Sequence, residues 1–246
     1  MNNTILNHRS IRKYSEKQIG EELLNTILEA GCRASTTGNM QVYSIVVTKS
    51  QEVKEKLSPC HFNQPMIKNA PVVLTFCADF NRFNKWCKIN NAEPGYDNFL
   101  SFMTAAIDAL LVAQNVCVAA EDKGLGICYL GTTTYTAQQI IEVLNLPKGV
   151  VPVTTVTIGW PDENPEQTDR LPLEAVVHEE IYHDYSEEQI HEFYVFKESL
   201  SENKRFVDEN KKETLAQVFT DVRYKKADNE LFSGLLLDVL QKQGFM

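Results

Sequence analysis

The stretch FLSFMTAAIDALLVAQNVCVAA, Phe99 to Ala120, decides the fold, because it is long and apolar enough to be either a membrane span or a buried core helix. Asp108, Gln114 and Asn115 interrupt it, and a central Asp costs about 3 kcal/mol on insertion scales. We therefore read a core helix. With apolar residues on nearly every face it needs cover on nearly every face, more than one 246-residue subunit readily supplies. A homodimer interface is expected to complete it.

Reading outward toward the C-terminus, Gly124 is placed to end this helix in the left-handed conformation, and Gly126 to Gly131 follows as a strand. Thr136 and Gln139 have the T-x-x-Q spacing of a capping box for a helix over Ala137 to Leu146, which Pro147 stops. Val150 to Trp160 is a further strand. Toward the N-terminus, Asn81 to Asn98 has no regular period and reads as an excursion or partly helical loop that covers something. Before it, Val72 to Cys77 is an unbroken apolar run suited to a central strand buried on both faces. Gln51 to Leu57 is a short helix behind an N-cap Ser50, and Val42 to Thr48 a strand. A first amphipathic helix begins at Gly20, with Glu21 and Glu22 at its positive end. From Ser186 the chain is helical again: Ser186 and Gln189 form a second capping box, and Asp228 opens a last helix. Strands and helices mix without βαβ alternation, which points to α+β.

The net charge of −9 and the lack of a basic block with interleaved aromatics argue against nucleic acid as a partner. MNNTILNHRS has no signal-peptide character, so a cytoplasmic location is expected, with no membrane partner. Cys32, Cys60, Cys77, Cys87, Cys117 and Cys128 lack CxxC or metal-like spacing and read as reduced, mostly buried thiols, with no metal expected.

Four clusters could carry chemistry. His8-Arg9-Ser10-Ile11-Arg12 offers forked guanidinium donors and a hydroxyl suited to a phosphate, or is an exposed basic arm. Arg33 to Gln41 presents hydroxyls, a glycine and amides that suit the edge of a planar heterocycle, or simply ends a helix. In Gly124 to Thr132 the glycines let backbone N–H groups approach a ligand. That spacing is not the G-x-G-x-x-G fingerprint and precedes a strand, so a Rossmann site is rejected. Arg170 stands in the acidic loop DENPEQTDRLP, either as an anion partner or in a surface salt bridge. The basic residues Lys204, Arg205, Lys211 and Lys212 are a solvated cluster or a site for a further phosphate.

HRSIRKYS, RASTTGNMQVYSIVV, CADFNRF, GLGICYLG and GWPDENPEQTDRLP occur in an order and spacing that resembles the flavin-dependent nitroreductase family, closest to its oxygen-insensitive NADPH nitroreductase and FMN reductase branch. The resemblance runs over about residues 5 to 185. It implies a central mixed sheet flanked by helices, an FMN-binding core over 1–185 and a helical extension over 186–246 that packs on the core or a partner subunit. It further implies that His8, Arg9, Ser10 and Arg12 hold the FMN phosphate and ribityl chain with Arg170. Thr36 and Gly38 then lie against the flavin, Gln64 touches flavin or ribityl, and Tyr129, Leu130, Gly131 and Thr132 run beside the ring near N5. Thr168 departs from the pattern, since relatives often carry a basic residue there. The implied chemistry is hydride transfer from NADPH or NADH to FMN, followed by two-electron reduction of nitroaromatics, flavins, quinones or related planar acceptors, in ping-pong order and with no catalytic side chain. The implied alternative is a degenerate homologue that binds flavin, or serves as an interaction protein, without turnover.

Overall fold

The computed structural model describes residues 3–246. They form two compact bodies, one made of the described residues up to Glu166 with Phe232–Met246 and the other of Gln167–Leu231.

The first body is built on helices α1 (Glu21–Gly31), α2 (Gln51–Cys60), α3 (Pro65–Asn69), α4 (Asn81–Ile89), α5 (Phe99–Asp122) and α6 (Ala137–Leu144), and on strands β1 (Tyr43–Thr48), β2 (Val72–Asp79), β3 (Gly126–Leu130) and β4 (Val150–Gly159). The sheet order is β1-β2-β4-β3, and each neighbouring pair is antiparallel. This corrects the expected mixed sheet. Apolar runs mark strands but carry no direction, which is set by the side on which each connection returns. The parallel contact that does occur is an isolated bridge between Ser10 and Ile127.

β2 is buried at every position, as its unbroken apolar run predicts for an interior strand. One face meets α5 and α1: Leu74, Phe76, Val156 and Ile158 from the sheet pack with Val112, Val116 and Ile27. α5 is thus a core helix, although it is long and apolar enough to cross a membrane by composition. It ends as expected, with Gly124 at φ +78° and the Leu125 N–H bonded to the Ala120 carbonyl. Its other face is left apolar and open: Leu100, Met103, Ile107, Leu110 and Leu111 are exposed at helical spacing. Asn81 to Asn98 divides into α4 and a loop, where Tyr96 stacks on Phe80 and meets Phe83 edge-on.

The Thr136 capping box does not form. Thr136 is the N-cap of α6, but its hydroxyl lies 2.5 Å from the Cys60 carbonyl and 3.3 Å from that of Thr132. A tertiary acceptor has won the hydroxyl from the local N–H.

In the second body, α7 (Glu187–Ser199) opens with the expected reciprocal capping box of Ser186 and Gln189, and α8 (Ser201–Glu209) follows. The last helix, α9, spans Lys226–Gln243. Of the cysteines, Cys32 is exposed and the other five are buried and free.

Candidate functional site

The N-terminal arm is strapped across the edge of the sheet. Ser10 bridges Ile127, and the Ile11 N–H donates to the Ile127 carbonyl at 2.8 Å. Gly126 permits this crossing, because a Cβ there would stand 2.6 Å from Ile11. Further along, the buried Tyr14 hydroxyl sits 2.6 Å from the Ile11 carbonyl and 2.8 Å from Thr157 Oγ1, and burial raises its pKa. The Glu163 carboxylate accepts the backbone N–H groups of Arg12 at 2.5 Å and Lys13 at 3.0 Å. At the other end His8 Nδ1 is 2.7 Å from Glu121 Oε1 on α5. These ties fix the arm's backbone and leave the guanidinium groups to other partners. Arg12 is exposed, and Arg9 Nε is buried without a hydrogen-bond partner.

Beyond the crossing, β3 delivers Tyr129, Leu130, Gly131 and Thr132. The Tyr129 hydroxyl donates to Gln114 Oε1 at 3.3 Å, and burial above all raises its pKa, so it stays a neutral phenol. Leu130 is buried, while a Cβ placed on Gly131 would meet nothing within 4 Å. The strand therefore begins under the arm and ends in open backbone. Thr132 Oγ1 lies 2.8 Å from Nδ1 of the buried His61, three residues before Gln64, the half-buried N-cap position of α3. The structure thus links the arm, the end of β3 and the Gln64 turn into one contiguous group.

Thr36 and Gly38 are held separately. Thr36 precedes a turn of 3-10 helix in which Gly38 takes φ +55°, and the next residue, Thr37, bonds Asp108 Oδ1 through its N–H at 3.0 Å and its hydroxyl at 3.3 Å. Asp108, 1% exposed, keeps Oδ2 buried and unpartnered. The acid that broke the membrane reading of α5 thus anchors the loop read as suited to the edge of a planar heterocycle. About 20 Å of helix, at 1.5 Å per residue, separates Asp108 from Glu121, the anchor of the arm. A cleft of about 550 Å³ lies beside this loop, lined by Met40, Gln41, Tyr43, Arg82 and Cys32 among others, and none of the predicted site residues lines it.

Arg170 belongs to the second body. Its Nη1 lies 2.8 Å from Thr168 Oγ1 and 2.9 Å from the Asp169 carbonyl, while the Asp169 carboxylate pairs with Lys197 at 2.8 Å. Thr168, where the motif leads one to expect a base, is here a hydroxyl acceptor for Arg170. In the same body Arg205 pairs with Glu209 and Lys212 with Asp221, as in a solvated cluster. No group of His, Cys, Asp and Glu suited to a metal occurs among the described residues.

Asp108 and His61 had no motif to mark them, and Glu163 lay in the DENPEQTDRLP loop with only Arg170 singled out there. A carboxylate in an apolar helix was the one sequence signal available, at Asp108. Glu163 and His61 gain their roles from segments over 70 residues away.

The family model for the nitroreductase family matches residues 5–160. The FMN reductase [NAD(P)H] of Bacillus subtilis is 35% identical over 246 residues, covering 98% of this chain and 96% of the relative. A provisionally described oxidoreductase from Bacteroides fragilis superposes with a TM-score of 0.98 at 62% identity, covering 99% of each chain. The NADPH:FMN oxidoreductase of Vibrio harveyi, complexed with NAD+, superposes with a TM-score of 0.79 at 30% identity, covering 99% of this chain and 97% of the other.

Proposed function

Because the chain belongs to the nitroreductase family, we propose that it is an FMN-dependent NAD(P)H oxidoreductase that works in the cytoplasm as a homodimer. The observation that carries the reading is the buried, unpartnered Nε of Arg9, beside Ser10 and Arg12 on an arm whose backbone is already tied down. A buried guanidinium N–H without an acceptor is costly unless a ligand oxygen completes it, and a phosphate supplies charge-assisted, forked acceptance. The open backbone at Gly131 is the second point of fit, a space that a side chain would fill.

Bound FMN would supply hydride acceptance and two-electron delivery to planar acceptors such as nitroaromatics, flavins or quinones, with NADPH or NADH as donor. The chain's own residues bind and orient. Arg9 and Arg12, with His8 and Ser10, would neutralise the phosphate. Gln64, Thr36 and Gly38 would meet the polar edge of the ring, and Tyr129 to Thr132 would align backbone N–H dipoles beside it. In this reading residues 1–185 are the flavin-binding core and 186–246 a helical extension. The homodimer is supported by the exposed apolar stripe of α5, where Leu100 is 75% and Ile107 50% exposed. Solvent exposure of such a stripe is unfavourable, and a second copy would cover it.

The test is the absorption spectrum of the purified protein followed by anaerobic NADPH and NADH. Flavin bands that bleach with either donor are expected. Absence of flavin after reconstitution with FMN would refute the binding site, and bound flavin that neither donor bleaches would refute the reductase.

A further inference from the structure

His61 closes α2 and is followed by Phe62 and Asn63, both with φ near +55°. Its side chain is wholly buried, with Nδ1 2.8 Å from Thr132 Oγ1 and Nε2 buried without a partner. The same turn is tied twice more: the Gln64 N–H donates to the His61 carbonyl at 3.1 Å, and the Thr136 hydroxyl reaches the Cys60 carbonyl. The turn that carries Gln64 and the turn that carries Thr132 are therefore fastened to each other through one imidazole.

The unpartnered nitrogen decides the tautomer. A neutral ring has one N–H. On Nε2 it would be a buried donor with no acceptor, whereas on Nδ1 it reaches Thr132 Oγ1 and leaves only an acceptor lone pair unpaired, the cheaper defect. Thr132 Oγ1 then accepts from His61, and its own hydroxyl hydrogen is free to be donated elsewhere.

We propose that His61 is a positioning residue that holds the Thr132 hydroxyl as a hydrogen-bond donor for FMN and fixes the Gln64 turn beside it. This rests on the flavin reading above. Burial depresses the imidazole pKa to about 4, so the ring stays neutral and the tautomer persists at working pH.

FMN affinity, measured by quenching of flavin fluorescence, tests it with His61→Phe, His61→Asn, Thr132→Val and the double variant His61→Phe/Thr132→Val. Either His61→Phe or Thr132→Val is expected to weaken binding roughly 3- to 10-fold, the value of one neutral hydrogen bond, and the double variant no further than the worse single. His61→Asn, whose amide N–H can stand in for Nδ1–H, is expected to recover affinity to within about twofold of wild type. Unchanged affinity in His61→Phe, additive losses in the double variant, or no recovery by Asn would overturn the assignment. Should His61→Phe fail to fold, Thr132→Ser against Thr132→Val decides: equal affinity in the two overturns it, and retention by Ser alone supports it. Wild type that binds FMN while the variants are indifferent removes this inference only. Wild type that never binds FMN removes the flavin reading and this inference together.

Discussion

The two bodies of the chain handle apolar residues in opposite ways. In the first, β2 is buried from end to end, and Phe76, Leu74, Ile27 and Ile158 lie at or near zero exposure. In the second, Gln167–Leu231, the buried residues among those described are Leu215 and Val218, while Leu173, Ile181, Tyr182 and Phe196 are each over 60% exposed. Both contain apolar residues in quantity. The difference is that a sheet gives two faces on which helices close a core, whereas a run of helices and loops without a sheet has only its own stripes to match. A segment of that kind depends on cover from outside itself, which is a physical argument for the proposed homodimer.

The largest expected effect lies in the first body. Phe76→Ala should cost about 3 to 5 kcal/mol in urea unfolding, because the void opens where the sheet meets α5 and cannot collapse. A cost near that of a surface substitution would break the contrast between the bodies.

The next is acid sensitivity. His61 titrates near its ordinary value of 6.5 when unfolded and at about 4 when buried, so between these values the unfolded chain binds more protons. This contribution to stability is complete above pH ~6.5 and falls by about 3 kcal/mol as the pH drops toward 4. Thermal melts over that range should show the slope, and His61→Phe should flatten it. An unchanged slope in the variant would remove His61 as its source.

Cofactor retention comes third and probes the arm of the first body. Arg9→Ala and Arg12→Ala are each expected to weaken FMN binding by about 1.5 to 3 kcal/mol, the value of a charge-assisted contact. Full retention in both variants would remove the arm as the phosphate site. The smallest effect belongs to Ser186→Ala, at about 1 kcal/mol for a lost cap, read as faster amide exchange at the start of α7. Unchanged exchange there would show that the cap adds nothing to the helix start.

Local signals were legible where the partner lies close in sequence. The Ser186 box, the Gly124 stop and the buried run of β2 stand as read, since each depends on residues a few positions apart. The Thr136 box carried the same kind of signal and failed, because Cys60, 76 residues away, offered its hydroxyl a competing acceptor. Strand direction was illegible for a similar reason.

What the chain determined unaided is its division into helices and strands, the α+β class and the family-like order of its motifs, for periodicity, caps and breakers act within a few residues. Only the folded molecule decided that Glu163 ties down the arm, that Asp108 anchors the Thr37 turn, and that His61 joins the turns of Gln64 and Thr132. Each of those pairs is more than 70 residues apart, and a hydrogen bond across that distance exists only once the core has brought its two ends together.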